Sequence, residues 1–396
     1  MNIIIVSQCF YPDNFRINSI AEELVRQRHC VKAITGLPDY ATSRIPQEYK
    51  WFKKRREKYC GAQVIRVPTI ARHKGVIFRA LNYGSFILSS CLYALFCSTK
   101  SVDSIFVYQT SPVFQAIPAI ILKHRTHKKL VLYCGDLWPE SLKAWNIGEN
   151  SFLFKIVLKI SKKIYNACDK VAITSTPFRK YLTEVCDVAD DKIEYLPQHC
   201  DDLYADICNQ FIDNGCIDFV FAGNIGSVQN IDCIIHAAEL IPPDRNYRIH
   251  IVGDGSELDN CKSLVDDIGL QDKIFFYGRY PLKEMKSFHQ MADCFLLTLR
   301  GGSFIGQTLP SKVQAYLCAG RPILGAIDGA AQIVIEEADC GECVPAGDYK
   351  ALSEKMSLVI DNFELYRQKG LNGRKFYEDH YTKDIFMKAL FNLLND

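Results

Sequence analysis

An α/β fold of two Rossmann-like, doubly wound domains is what this sequence predicts, on three observations. Short apolar, β-branched runs alternate with longer amphipathic stretches, the pattern of βαβ units around parallel sheets. The alternation breaks once, over the polar segment from Leu203 to Gly215, and then restarts, which places a domain boundary between residues 205 and 206. The length of 396 residues is two to three times the ~150 of a single domain. With 48% hydrophobic and 23% charged residues, the chain is neither disordered nor a polytopic membrane protein.

Taken in order, strands are expected at Asn2 to Val6, Val31 to Thr35, Gln63 to Val67, Ser104 to Tyr108, Lys129 to Cys134, Lys170 to Thr174 and Lys192 to Tyr195. Ile17 to Arg28, Phe152 to Ala167 and Pro177 to Cys186 carry helical periodicity. After the break, strands recur at Asp218 to Ala222, Arg248 to Val252, Lys273 to Tyr277, Cys294 to Thr298, Pro322 to Gly325 and Cys343 to Pro345. From about Ala351 the chain reads as helix to its end, with an apolar stripe through Phe376, Tyr381, Phe386, Leu390 and Leu393. Doubly wound sheets take ligands outside their carboxyl ends, so a cleft between the two domains is the expected active site.

Net charge is only +2, but it is unevenly divided. Residues 1–200 hold 29 Lys and Arg against 16 Asp and Glu, giving +13; the remainder hold 18 against 29, giving −11. A basic half suits nucleic acid, an anionic lipid surface or a phosphorylated substrate, and charge alone does not choose. The 17 cysteines are odd in number and scattered, which is not a disulfide framework. Met1 to Val6 lack a basic leader region and read as a buried first strand, so a cytoplasmic location is expected.

Three turns could hold an anion. Gly253-Asp-Gly255 and Gly223-Asn-Ile-Gly226 each follow a strand, where glycine allows either tight turning or close approach to a ligand. Pro310-Ser311-Lys312 opens a helix that closes at Gly320; its free amides, with Lys312 and Arg300, suit a diphosphate. His124-Arg-Thr-His127 has metal-compatible spacing but sits among lysines and an arginine, surroundings that disfavour a cation. No HExxH, GxSxG, P-loop or Asp-x-Asp motif is present, against metalloprotease, α/β-hydrolase and P-loop ATPase activities.

Val76 to Cys97 holds one charge, Arg79, in 22 residues. Asn82, Ser85, Ser89 and Tyr93 recur on it at helical spacing, and Lys53 to Arg56, Arg72, Lys74 and Arg79 flank it. A helix lying at a membrane surface, a helix packed in the domain and a spanning helix are the three readings.

Gly135-Asp-Leu-Trp-Pro-Glu140, Ala222-Gly-Asn-Ile-Gly226, Val252-Gly-Asp-Gly255, Pro310-Ser-Lys312 and Gly320-Arg-Pro-Ile323 form an ordered series. It resembles the GT-B glycosyltransferases of family 4, and within them the bacterial subgroup that builds O-antigen, capsule or other surface polysaccharide. The resemblance implies a retaining transferase that needs no metal. It implies a UDP-sugar, an N-acetylated hexosamine or deoxyhexosamine, held by the C-terminal domain (206–375). It also implies a lipid-diphosphate-linked acceptor, not nucleic acid, held by the N-terminal domain (1–205, joined by a terminal helix from about 376 to 396). A peripheral position on the inner face of the cell membrane follows. Donor contacts are then expected from Gly223, Asn224, Gly226, Gln229, Gly253, Gly255, Arg279, Arg300, Gln307, Ser311 and Lys312, and catalytic contacts from Asp136 and Glu140.

The chain departs from the family pattern in two places. Many members carry two glutamates eight residues apart where this chain has Gln307 and Ala315, and an Arg and a Lys where it has Asn224 and Gln229. Two alternatives arise: a nucleotide-sugar 2-epimerase of the same fold, for which His199 is the candidate histidine, and a non-catalytic scaffold of glycosyltransferase shape.

Overall fold

The computed structural model describes residues 1–396 except 41, 52, 74, 146, 201, 205, 206, 208–210, 212, 213, 303, 304 and 396, and the side chains of 144 and 202. Lys74 and the expected boundary at 205/206 therefore lie outside the described residues. The chain divides into two compact units, Met1–Leu196 with Met387–Asp396, and Pro197–Phe386.

The first unit runs β1 (Asn2–Val6), α1 (Arg16–Arg26), β2 (Cys30–Thr35), β3 (Arg56–Tyr59), β4 (Ala62–Arg66), α2 (Val76–Phe96), β5 (Ser104–Gln109), α3 (Ile117–Thr126), β6 (Lys129–Cys134), α4 (Phe152–Ala167), β7 (Lys170–Ile173), α5 (Pro177–Glu184) and β8 (Ile193–Tyr195). Its sheet has the order β3-β4-β2-β1-β5-β6-β7-β8. The pairings are parallel except β3 against β4. Ile3, Ile4, Ile5 and Val6 are all buried because helices cover both sheet faces, which is why the strand reads as an unbroken apolar run. Sequence reading passed over β3. Its Arg-Glu-Lys-Tyr pattern is charged because it is an edge strand, where charge discourages pairing with other chains.

α2 turns its polar stripe inward. Asn82 Nδ2 donates to Asp39 Oδ2 (2.9 Å), Ser85 Oγ accepts from the Ile70 amide (2.9 Å), and Ser89 Oγ donates to the Pro68 carbonyl (2.7 Å). The outward face is apolar instead: Ile77, Leu81, Leu88, Leu92, Leu95 and Phe96 are exposed. Among the described residues, no helix is long and apolar enough to cross a membrane.

The second unit runs β9 (Ile217–Ala222), α6 (Ile231–Glu239), β10 (Tyr247–Val252), α7 (Leu258–Ile268), β11 (Ile274–Gly278), α8 (Met285–Met291), β12 (Cys294–Thr298), α9 (Lys312–Ala319), β13 (Ile323–Ala326), α10 (Ala330–Glu337), β14 (Gly341–Val344), α11 (Tyr349–Asp361), α12 (Phe363–His380) and α13 (Lys383–Asn395). Its parallel sheet has the order β11-β10-β9-β12-β13-β14. The single helical run expected after Ala351 is broken, at Asn362 and again before Lys383. From Met387 onward α13 belongs to the first unit, where Leu390 and Leu394 are buried and Phe391 stacks on His29 (5.2 Å). The strand order reverses direction beside β1 in one sheet and β9 in the other, so each sheet has its own switch point for a ligand.

Candidate functional site

At the switch point of the second unit, two turns are fastened backbone to backbone. The Gly223 amide donates to the Val252 carbonyl (2.9 Å), the Ile225 amide to Asp254 (2.9 Å), and the Glu257 amide to Ile225 (3.0 Å). Gly223 and Gly253 have φ of +150° and +156°. A Cβ at Gly253 would lie 1.7 Å from the Gly223 carbonyl oxygen, and one at Gly255 2.1 Å from that of Ile225. These glycines are required by the approach of the two turns. The turns leave a cavity of about 440 Å³ lined by Gly223, Asn224, Gly253, Asp254, Gly255, Arg279, Tyr280 and Met285.

α9 delivers a cation to the same turns. Tyr316 stacks on Phe295 at 3.8 Å, and its hydroxyl accepts from the Ala222 amide (2.9 Å), which fixes the helix against the end of β9. Ser311 is the residue before the first turn, and Lys312 follows it. Lys312 Nζ lies 3.8 Å from the centroid of the Phe221 ring, and a Cβ on Gly223 would come within 2.7 Å of it. The residue keeps partial exposure, but Nζ has none and makes no hydrogen bond. Burial lowers its pKa to about 7. An ammonium over an aromatic face, at a helix N-terminus and with no counter-ion among the described residues, is arranged to receive an anion.

The remaining donor candidates differ among themselves. The side-chain amides of Asn224 and Gln229 meet at 3.0 Å, and Gln229 Oε1 also accepts from the Gly226 amide (3.2 Å), so the pair at the family's Arg and Lys positions closes on itself. Arg279 is exposed and lines the cavity. Arg300 is directed to Asp232 (3.5 Å), and neither it nor Gln307, in the short turn Ile305–Gln307, lines the cavity. Asp254, Tyr280 and Met285 were missed by sequence reading. Tyr280 stands just beyond the carboxyl end of β11, and that position was the available signal.

In the first unit, Asp136 follows β6 and accepts from Ser141 Oγ (2.6 Å). Burial raises its pKa above the usual carboxylate range. Glu140 is buried and its Oε2 is 2.6 Å from Lys143 Nζ, which also holds Glu149. A second polar group stands at the switch point beside β1, and sequence reading missed it. Gln8 Nε2 donates to Asn82 Oδ1 (2.7 Å), and Asp39 Oδ2 accepts from Asn82 Nδ2 (2.9 Å) and the Arg72 amide (2.7 Å). Asp13 Oδ2 accepts from the amides of Asp39 (3.2 Å) and Tyr40 (3.1 Å). Burial raises the Asp39 pKa to about 6. His199, on which the epimerase alternative rests, is buried against Phe386 at 4.8 Å.

Residues 209–376 match the family described as glycosyl transferases group 1. The probable glycosyltransferase WbjE of Pseudomonas aeruginosa is 25% identical over 264 residues, 64% of this chain and 65% of that protein. The chain thus spans just under two thirds of that relative's length. Among solved structures, sucrose-phosphate synthase from Thermosynechococcus elongatus superposes with a TM-score of 0.75 at 15% identity over 99% of this chain and 98% of that one. Anabaena HepE in complex with UDP gives a TM-score of 0.71 at 12% identity over 100% and 99%. The two parallel-sheet units therefore make up a GT-B fold, and the match to the group 1 family falls within the second.

Proposed function

We propose that this chain is a retaining glycosyltransferase of bacterial surface polysaccharide synthesis, moving a sugar from a UDP-sugar to a lipid-linked acceptor. The observation that carries this reading is Lys312, whose unpaired Nζ lies under the Gly223 turn beside the cavity lined by Arg279. A diphosphate there supplies the missing counter-charge. In this reading the acceptor oxygen attacks the anomeric carbon on the face from which UDP departs. The bond to the diphosphate breaks, and a donor phosphate oxygen takes the acceptor proton. Lys312, Arg279 and the α9 amides stabilise the charge that develops on UDP, so no protein nucleophile and no metal are needed. The sugar is an N-acetylated hexosamine or deoxyhexosamine.

The acceptor half of this reading rests on the first unit. Its outward α2 stripe, exposed from Ile77 to Phe96, is about 29 Å long at 1.5 Å per residue and suits the interfacial zone of a membrane. The chain then works as a peripheral protein on the inner face of the cell membrane. The polar group around Gln8, Asp39 and Asn82 is the candidate seat for the acceptor sugar.

The test is calorimetric titration of UDP into wild type and Lys312→Ala with EDTA present throughout. Losing one charge-assisted bond of roughly 1.5 to 3 kcal/mol weakens binding about ten- to a hundredfold. Equal affinities would overturn the donor assignment, and a wild type that binds UDP only after a divalent metal is added would overturn the metal-free mechanism.

A further inference from the structure

Away from both switch points, the first unit carries a cavity of about 740 Å³ on the open face of its edge strands. It is lined by Lys32 of β2, Arg56, Glu57 and Lys58 of β3, Gln63 and Ile65 of β4, and Tyr93 and Phe96 at the end of α2. Strand register explains the grouping. Gln63 pairs with Lys32 on one side and Lys58 on the other, and Ile65 pairs with Arg56, so period-2 alternation sends all five to one face. Lys32 and Lys58 are thus two strand spacings apart, about 10 Å.

None of the three cations makes an ion pair among the described residues, and the carboxylate of Glu57, the one acid in the lining, is taken up by Arg66. Arg56 is close enough to Tyr93 to oppose part of the rise that burial imposes on that phenol. The floor is apolar: Ile65 and Tyr93 are half-buried, and Phe96 is 84% exposed at its rim. Like charges held together without a counter-ion favour an anion, and the adjoining aromatic floor favours hydrocarbon. Phe96 also ends the exposed stripe of α2, so the cavity opens where the apolar face stops.

We propose that this cavity binds one anionic phospholipid, its phosphate held by Lys32, Arg56 and Lys58 and its acyl chains leaving along Tyr93 and Phe96 onto the α2 stripe. The proposal deepens the membrane reading above and rests on it for the source of the lipid. A simple stripe would attach to any bilayer; this site would make attachment select for anionic lipid.

The experiment uses the full chain and dihexanoyl-phosphatidylglycerol below its critical micelle concentration, followed by calorimetry. Saturable binding of one lipid per chain is expected, at least tenfold weaker for dihexanoyl-phosphatidylcholine and for the Lys32→Gln/Arg56→Gln/Lys58→Gln variant. That variant should keep the wild-type melting temperature and UDP affinity, because its three side chains are only partly buried or exposed and lie outside the second unit. Equal binding of the two lipids, an unaffected triple variant, or glycerol phosphate binding as tightly as the lipid would each overturn the proposal. Vesicle sedimentation separates it from the reading it rests on. Leu88→Ser/Leu92→Ser should lose vesicle binding while still binding the soluble lipid. A wild type that binds the soluble lipid but ignores vesicles supports the cavity and overturns the membrane reading.

Discussion

The carboxyl edges of the two sheets are built from different materials. In the second unit the candidate site is mostly backbone: two glycine turns laced by amide hydrogen bonds, with a helix N-terminus and one buried lysine. In the first unit it is mostly side chain: Gln8, Asp13, Asp39 and Asn82, joined by hydrogen bonds that span up to 74 positions of sequence. A backbone site depends on residues that no substitute can replace, whereas a side-chain site can be re-formed by other polar residues. The second-unit site should therefore tolerate change poorly, and the first-unit site should be where relatives diverge.

Substitutions at the turns should break this contrast most visibly. Gly255→Ala would place a Cβ 2.1 Å from the Ile225 carbonyl oxygen, within a segment held by the Ile225–Asp254 and Glu257–Ile225 bonds. A loss of about 3 kcal/mol or more is expected, read as a fall of about 6–12 °C in Tm. A variant that melts within about 2 °C of wild type would mean that the turns part easily and that the backbone argument is wrong.

Next in size is the trade between stability and binding at Lys312. Burial lowers its pKa to about 7, against the ordinary value of 10.5. Below pH 7 the folded, ligand-free protein must carry a buried charge, so the destabilisation is complete there and fades as pH rises from 7 to 10.5. Lys312→Met should accordingly raise the ligand-free Tm by about 2–4 °C at pH 7, an advantage that shrinks toward pH 10. UDP binding to wild type should weaken above pH 7 and be accompanied by proton uptake, measurable by titration in buffers of different ionisation enthalpy. A Met variant less stable than wild type at pH 7 would contradict the burial of Nζ.

In the first unit the expected effect is smaller and confined to one substrate. Asp39→Asn retains an acceptor oxygen for the Arg72 and Asn82 donors but removes the charge. UDP affinity should stay within about twofold, while acceptor KM should rise about five- to tenfold, as for loss of one charge-assisted bond to a partly solvated sugar. Burial raises the Asp39 pKa to about 6, so wild type should acquire the same KM defect as pH falls through 6. An acceptor KM that is flat from pH 5 to 8 in wild type and equal in the variant would remove Asp39 from the acceptor seat.

These differences also explain what could be read beforehand. The two-sheet fold, the succession of strands along the chain and the second-unit turns leave local marks: apolar runs, glycine pairs after strands, and proline and serine before a helix. β3 leaves none, because an edge strand of charged residues looks like a basic cluster. The inward polar stripe of α2 was visible, but its direction was not. Asn82 faces inward because Asp39, 43 residues earlier in the chain, is there to meet it. Glu140 looked like a cleft carboxylate from its position after β6, yet Lys143, one helical turn on, takes one of its oxygens.

The smallest expected effect sharpens the proposed donor site, by separating two arginines that sequence reading treated alike. Arg279 is exposed at the rim of the cavity that Gly223 and Gly253 line, while Arg300 is directed at Asp232 on the start of α6. An exposed arginine that reaches a diphosphate acts through partly screened charge, so Arg279→Ala should weaken UDP about three- to tenfold, less than the loss of Lys312. Arg300→Ala should change it less than twofold, because its guanidinium is turned to a carboxylate outside the cavity. Raising salt from 0.05 to 0.5 M should narrow the Arg279 effect and leave most of the Lys312 effect, since a buried charge is screened much less. A double variant at Lys312 and Arg279 should fall short of the summed losses if both cations hold one diphosphate, whereas full additivity would place Arg279 on another part of the nucleotide. Should Arg300→Ala prove the more damaging of the two, the arginine at the end of β12 must swing away from Asp232 when the donor arrives, and the cavity at the Gly223 turn would extend toward α6.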